Sequence, residues 1–184
     1  AFGVDEVVEG IGRTGLVGII HGRSGAGGKT IGLRADMDAL PIHEASGKEW
    51  ASKTDGKMHA CGHDGHTAML LGAAEHLATT RNFEGSIAVI FQHAEEGGAG
   101  GKAMVDDGMI DRFGISEVYG MHNLPGLPVG EFAICSGAIM AATDEFKITI
   151  HGRGGHAAMP HETVDPITCG ASMVQALQTV AARN

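Results

Sequence analysis

The chain has 184 residues, and 13 Lys and Arg against 22 Asp and Glu give it a formal net charge of −9. At 43% hydrophobic and 19% charged residues it has the composition of an ordinary globular chain, not of a disordered one. The acidic balance cannot neutralise phosphates over a broad face, and no run approaches the ~20 apolar residues of a membrane span, so neither nucleic acid nor membrane is an expected partner.

The apolar period alternates between strand and helix. Residues 31–37 (IGLRADM) predict a short strand ending in polar groups. Residues 65–81 predict a helix, with Met69, Ala73 and Leu77 on one stripe and Leu70 and Ala74 beside it. The run SIAVIF at 86–91 is apolar almost throughout, as in a buried parallel strand. A further helix is expected over 100–113 and a strand over 117–121. This order implies an α/β sheet with right-handed crossovers.

The pattern changes after Met140. Residues 144–151 (DEFKITIH) alternate, with Phe146, Ile148 and Ile150 on one face, as in a half-exposed strand. Asp165-Pro166 then supplies an N-cap and a first-turn proline. The helix after it places Ile167, Ala171, Val174, Leu177 and Ala181 on one stripe. We place a domain boundary at 140–144, giving domains 1–140 and 141–184. One strand and one helix cannot bury both faces, so the second domain is expected to be truncated. AFGVDEVVEG has no initiator Met and no signal-peptide pattern, so an internal piece of a longer protein is expected. Cys61, Cys135 and Cys169 are odd in number and widely spaced, which suits a reducing, cytoplasmic setting. Cys135 and Cys169 are expected to be small buried residues, and Met69, Met104, Met109, Met140 and Met159 mostly core filler.

Ligand-type residues concentrate at three presumed strand ends. Met58 to His66 (MHACGHDGH) holds five candidate ligands in nine residues. For one His and one Cys a polar helix-capping loop is the better reading; five in so short a span reverse it. Gln92-His93-Ala94-Glu95-Glu96 follows the apolar run, where ligands bind in open α/β sheets. Adjacent carboxylates in extended chain point apart, so one can hold a metal while the other faces substrate. His122 follows the third strand. Cys61, His63, Glu96 and His122 form a credible metal set, suited to hydrolysis through polarised carbonyl and acidified water. Asp36 and Asp38 are candidates to orient the ligand loop, with simple turn chemistry as the alternative. His59 and His66 flank the ligands as orienting or helix-capping groups. Arg34 is expected to pair with a carboxylate.

LRADMDALP, MHACGHDGHTAMLLGAA, HAEEGGAGG, GMHN and GRGGHAAMPH occur in that order. In this the chain closely resembles the aminoacylase/carboxypeptidase-type metallopeptidase family. Its branch is that of hippurate hydrolases, N-acyl-amino-acid amidohydrolases and indole-acetyl-amino-acid hydrolases. The resemblance implies a mixed, mostly parallel sheet flanked by helices, an incomplete zinc-exopeptidase-like catalytic domain over 1–140. It makes 141–184 the start of an α+β satellite dimerisation domain. It implies two divalent metal ions, zinc or manganese with cobalt or nickel possible, and Cys61, His63, Glu96 and His122 match ligands. Glu95 matches the general base that activates the metal-bridging water and passes its proton to the leaving amine. His156 matches a residue that stabilises the oxyanion, often across a dimer, worth roughly 3–4 kcal/mol in comparable sites. A further His ligand and an N-terminal helix are implied outside these residues. The expected function is amide hydrolysis of small N-acyl amino acids by a homodimer. The alternatives are a dipeptidase or carboxypeptidase of the same family, and a non-catalytic metal-binding or dimerisation module.

Overall fold

The computed structural model describes residues 3–142 and 144–180. The chain falls into two compact units, the first ending at Val129 and the second starting at Gly130.

The first unit is built on one five-stranded sheet. In chain order its elements are β1 (Glu6–Ile11), β2 (Gly15–His21), β3 (Thr30–Asp36), α1 (His63–Thr80), β4 (Ser86–Gln92), α2 (Gly100–Asp106), α3 (Met109–Phe113) and β5 (Ile115–Gly120). The strand order is β1-β2-β4-β3-β5. β1 with β2 and β2 with β4 are antiparallel; β4 with β3 and β3 with β5 are parallel. The sheet is therefore mixed, and parallel pairing is confined to the half that carries the strand ends named above.

β4 shows why the apolar run at 86–91 does not alternate. Ala88 and Ile90 pack with Val17, Ile19, Met104, Met109 and Ile115 on one face. Val89 and Phe91 pack with Ile20, Ala35, Leu70, Ala74 and Ala78 on the other. Helices cover both faces, so the successive residues Ala88 to Phe91 are all buried.

The α1 stripe lies one residue from the expected position. Leu70, Ala74 and Ala78 are buried, and Met69 is exposed. The helix carries apolar residues over a wide arc, and the sheet takes the narrower side, where small alanines permit close approach. His63 and His66 lie on that same buried face. The helix expected over 100–113 is two helices, because the chain turns at Gly108 with φ +83°.

Arg81, just past α1, ties the helix end to the hairpin. Its guanidinium bonds Asp5 Oδ2 at 2.8 Å, the His21 carbonyl at 2.8 Å and the Gly3 carbonyl at 2.7 Å. The Arg81 hydrogen bond, helped by the His21 N–H, holds the Asp5 carboxyl below the usual range. A lowered folded pKa means the unfolded chain takes the proton first. The stabilisation is therefore complete above about pH 4 and lost as pH falls through the lowered folded value. Asp5→Asn will melt slightly below wild type at pH 7, and the gap will close on acidification. A pH series of thermal melts checks this; a gap constant down to pH 2 would refute it.

In the second unit, Arg153 and Val164 form an isolated bridge that spans a 3-10 turn (Pro160–Glu162), and α4 (Pro166–Gln178) follows. Asp165 caps α4 by accepting the Ile167 N–H at 2.9 Å, and Pro166 opens it, as expected. Ala181 of the expected stripe lies outside the described residues. The strand expected over 144–151 is not formed: the segment carries no ladder among the described residues. Alternation gives a strand two faces, but only a hydrogen-bonded neighbour makes it one. Cys135 and Cys169 are exposed, contrary to expectation, since they lie on a loop and a helix with no buried residue. Met104 and Met109 are core; Met69, Met140 and Met159 are exposed. No helix among the described residues is long and apolar enough to cross a membrane.

Candidate metal centre

The parallel half of the sheet brings three strand ends together at one edge. β3 leads into Asp36 and Asp38, β4 into Glu95 and Glu96, and β5 into His122 and Asn123. α1 begins beside them with His63. Cys61 stands two residues earlier.

His63 is the hub. Its ring is fully buried. Nδ1 donates to the Asp38 carbonyl at 2.9 Å and lies 3.3 Å from Asp38 Oδ1. That fixes the tautomer and leaves Nε2 with a lone pair. Nε2 has no hydrogen-bond partner. Around it stand Asp36 Oδ2 at 3.7 Å, Glu96 Oε1 at 3.8 Å and Glu95 Oε2 at 4.0 Å. These distances are too long for hydrogen bonds. A lone pair facing three carboxylate oxygens is an arrangement that a cation between them would stabilise.

The donor atoms fall into overlapping groups, each within 4.8 Å. They are Cys61, His63 and His122; His63, Glu95 and Glu96; and Asp36, His63 and His66. Cys61 Sγ is 3.4 Å from His122 Nε2. His122 Nδ1 donates to the Asn123 carbonyl at 2.7 Å, so Nε2 is again the free lone pair. Cys61, His63, Glu95, Glu96 and His122 are thus gathered in one place. His156 belongs to the second unit, where its Nδ1 accepts the Ala158 N–H at 3.1 Å.

Glu95 and Glu96 do not sit in extended chain. The strand ends at Gln92, Ala94 takes φ +50°, and the two glutamates lie in a turn. Both carboxylates therefore reach toward His63 instead of pointing apart. Glu95 is the more exposed of the two, with 43% of its side chain accessible against 26% for Glu96. Asp38 Oδ2 accepts the Glu96 N–H at 3.0 Å, so this carboxylate links the glutamate turn to His63.

Burial opposes the Asp36 charge, but the His66 hydrogen bond and the Arg34 guanidinium hold its carboxyl below the usual range. Arg34 Nη1 lies 2.8 Å from Asp36 Oδ2, and its Nε donates to Gln92 Oε1 at 2.8 Å. Asp38 is held low as well: burial raises it, and main-chain N–H groups of Glu96 and Glu95 more than offset that. Burial, then Glu96, Glu95 and Asp36, push the Cys61 thiol up. Four carboxylates and a thiol on one cluster of imidazoles fit divalent cations by charge and by donor type.

Sequence reasoning did not find the role of Asn123. It carries no periodic or ligand signal; its neighbour His122 drew the attention. The contact that matters, to His66, joins residues far apart in the chain.

The motifs that build this centre match a known pattern over residues 32–184. The chain belongs to Peptidase family M20/M25/M40. The chain is 46% identical to the hippurate hydrolase of Campylobacter jejuni over 179 residues, covering 97% of this chain and 46% of that protein. It is 49% identical to thermostable carboxypeptidase 2 of Saccharolobus solfataricus over 182 residues, covering 97% of this chain and 45% of that protein. Among solved structures, the Bacillus subtilis YXEP protein, described as a dinuclear metal-binding peptidase from the M20 family, aligns with a TM-score of 0.63. That alignment has 45% identity and covers 68% of this chain and 35% of that one. The chain therefore spans about half the length of the M20 relatives it matches.

Proposed function

We propose that the protein is a metal-dependent amidohydrolase that cleaves the amide bond of N-acyl amino acids, of the hippurate or N-acetyl-amino-acid kind. The observation that carries this reading is the buried His63 Nε2, held bare among carboxylates beside the Cys61–His122 pair. Cys61, His63, Glu96 and His122 would hold two divalent ions: the thiolate and imidazoles favour zinc by softness, and the carboxylate admits manganese. Such ions would polarise the scissile carbonyl and acidify the attacking water.

The chain's own residues supply the rest. Glu95, accessible and close to the ligands, takes the proton from the attacking water. As the carbon–nitrogen bond breaks, it passes that proton to the leaving amine. Asp38 holds the turn that carries Glu95 and Glu96 in register with His63. The second unit, which contains all of 141–184, is the start of the satellite domain. From it His156, contributed within a homodimer, donates to the oxyanion. A cytoplasmic location accords with the three free cysteines.

The similarity to a carboxypeptidase favours a second reading, in which a peptide replaces the acyl amino acid. Rates of the intact protein on N-acetyl amino acids, hippurate and dipeptides separate the two. Elemental mass spectrometry of the purified protein should find two metals per chain, and chelation should abolish turnover. A metal-free protein that hydrolyses amides would overturn the proposal.

A further inference from the structure

We propose that His66 is a positioning residue: anchored to Asp36 through Nδ1, it holds the Asn123 backbone with Nε2, so that His122 presents its own Nε2 to the Cys61 side of the metal centre. The inference rests on the metal-centre reading above, and goes beyond it by assigning a role to a histidine that is not itself a ligand.

His66 is buried on the inner face of α1. Its Nδ1 donates to Asp36 Oδ1 at 2.6 Å. Asp36 is the acceptor, because its other oxygen, Oδ2, is ion-paired with the Arg34 guanidinium at 2.8 Å. The proton of the neutral ring is therefore on Nδ1, and Nε2 is an acceptor. The Asn123 main-chain N–H donates into it at 3.0 Å. Asn123 Oδ1 stands 2.5 Å from the same nitrogen, and the amide presents its NH2 group there once turned to suit an acceptor. So fixed, Asn123 offers its carbonyl to His122 Nδ1–H at 2.7 Å. His122 is left with Nε2 free, 3.4 Å from Cys61 Sγ.

The same residue braces the ligand loop from the other side. A Cβ on Gly62 would stand 2.5 Å from Asn123 Oδ1. Asn123 is thus packed against the residue between Cys61 and His63. One chain of contacts runs from the end of β3 through α1 to the end of β5, and it sets two ring tautomers along the way. Partners of this kind typically change metal affinity 10–100-fold when removed.

Two substitutions separate positioning from space-filling. His66→Gln can place an amide oxygen near the site of Nε2 and so keep an acceptor for the Asn123 N–H. His66→Asn can keep a donor toward Asp36 but offers nothing to Asn123. Both are read in the intact protein loaded with cobalt(II), by the thiolate-to-cobalt absorption band and by chelator competition. We expect His66→Asn to shift or lose the band and to bind cobalt about 10–100-fold more weakly, and His66→Gln to restore both. An unchanged band and affinity in His66→Asn would overturn the inference, as would a His66→Gln variant no better than His66→Asn. A wild-type protein without a thiolate band would instead overturn the ligand role of Cys61, and the inference with it. Nitrogen-15 shifts of the wild-type histidines need no variant: His66 should carry its proton on Nδ1, and a proton on Nε2 would refute the scheme.

Discussion

Replacing Glu95 by glutamine will lower kcat on an N-acyl amino acid by about 10²–10⁴-fold and leave the metal content of the intact protein unchanged. The amide has the size of the carboxylate and keeps the shape of the turn. It cannot take a proton from water at neutral pH, so both proton transfers assigned to Glu95 are lost. Glu96→Gln should behave differently, because Glu96 is the less exposed carboxylate and is tied to Asp38 through its own N–H. That variant should lose metal as well as rate. Steady-state kinetics with elemental analysis on both variants decides between the roles. Full turnover in Glu95→Gln would remove Glu95 from the mechanism; intact metal binding in Glu96→Gln would remove Glu96 from the ligand set.

Gly100→Ala will destabilise the protein by about 3 kcal/mol or more, at the upper end for an overpacked site, and will weaken metal binding with it. A Cβ at Gly100 would stand 1.7 Å from the His93 carbonyl oxygen and 2.6 Å from its carbon. Both atoms are backbone, so no rotamer change relieves the clash. Gly100 also donates its N–H to the Ala94 carbonyl at 3.0 Å, closing the loop that carries Glu95 and Glu96. Moving Gly100 therefore moves the glutamates. Gly97→Ala is the control, since its Cβ would meet nothing within 4 Å. Thermal melts should show a large drop for the first variant and almost none for the second. Equal melts would mean that the loop is more yielding than this packing implies.

The elements that were legible in the sequence are those whose faces are both committed. β3 and β4 show as short apolar runs, and α1 as a long period with a clear start; β5, exposed after Ile115, is located only approximately, at 117–121. Asp165-Pro166 announces α4 because capping is local chemistry. The β1–β2 hairpin escaped the reading. β1 exposes most of its residues and carries Glu6 and Glu9, and glycines interrupt the period. The turn at Gly12-Arg13-Thr14 between two β-branched runs was a usable signal. The antiparallel pairing of β2 with β4 was equally hidden, since strand order is a property of the assembled sheet. For the site, the three clusters stood out because ligand-type residues crowd into strand-end loops. Their mutual arrangement did not. That Asp38 holds Glu96, or that His66 reaches Asn123, depends on β3 lying between β4 and β5 in one register.

That register has a consequence for how the protein folds. Thr30 pairs with Ser86 on one side and with Ile115 on the other. The hairpin of β1 and β2 closes over a few residues, but the metal-centre half of the sheet requires two long loops to close first. Contacts so distant in sequence are slow to form. Refolding should therefore restore hairpin and helix signals before it restores cobalt binding. The centre is a late product of folding, and ions added to the unfolded chain would meet scattered histidines instead of a site.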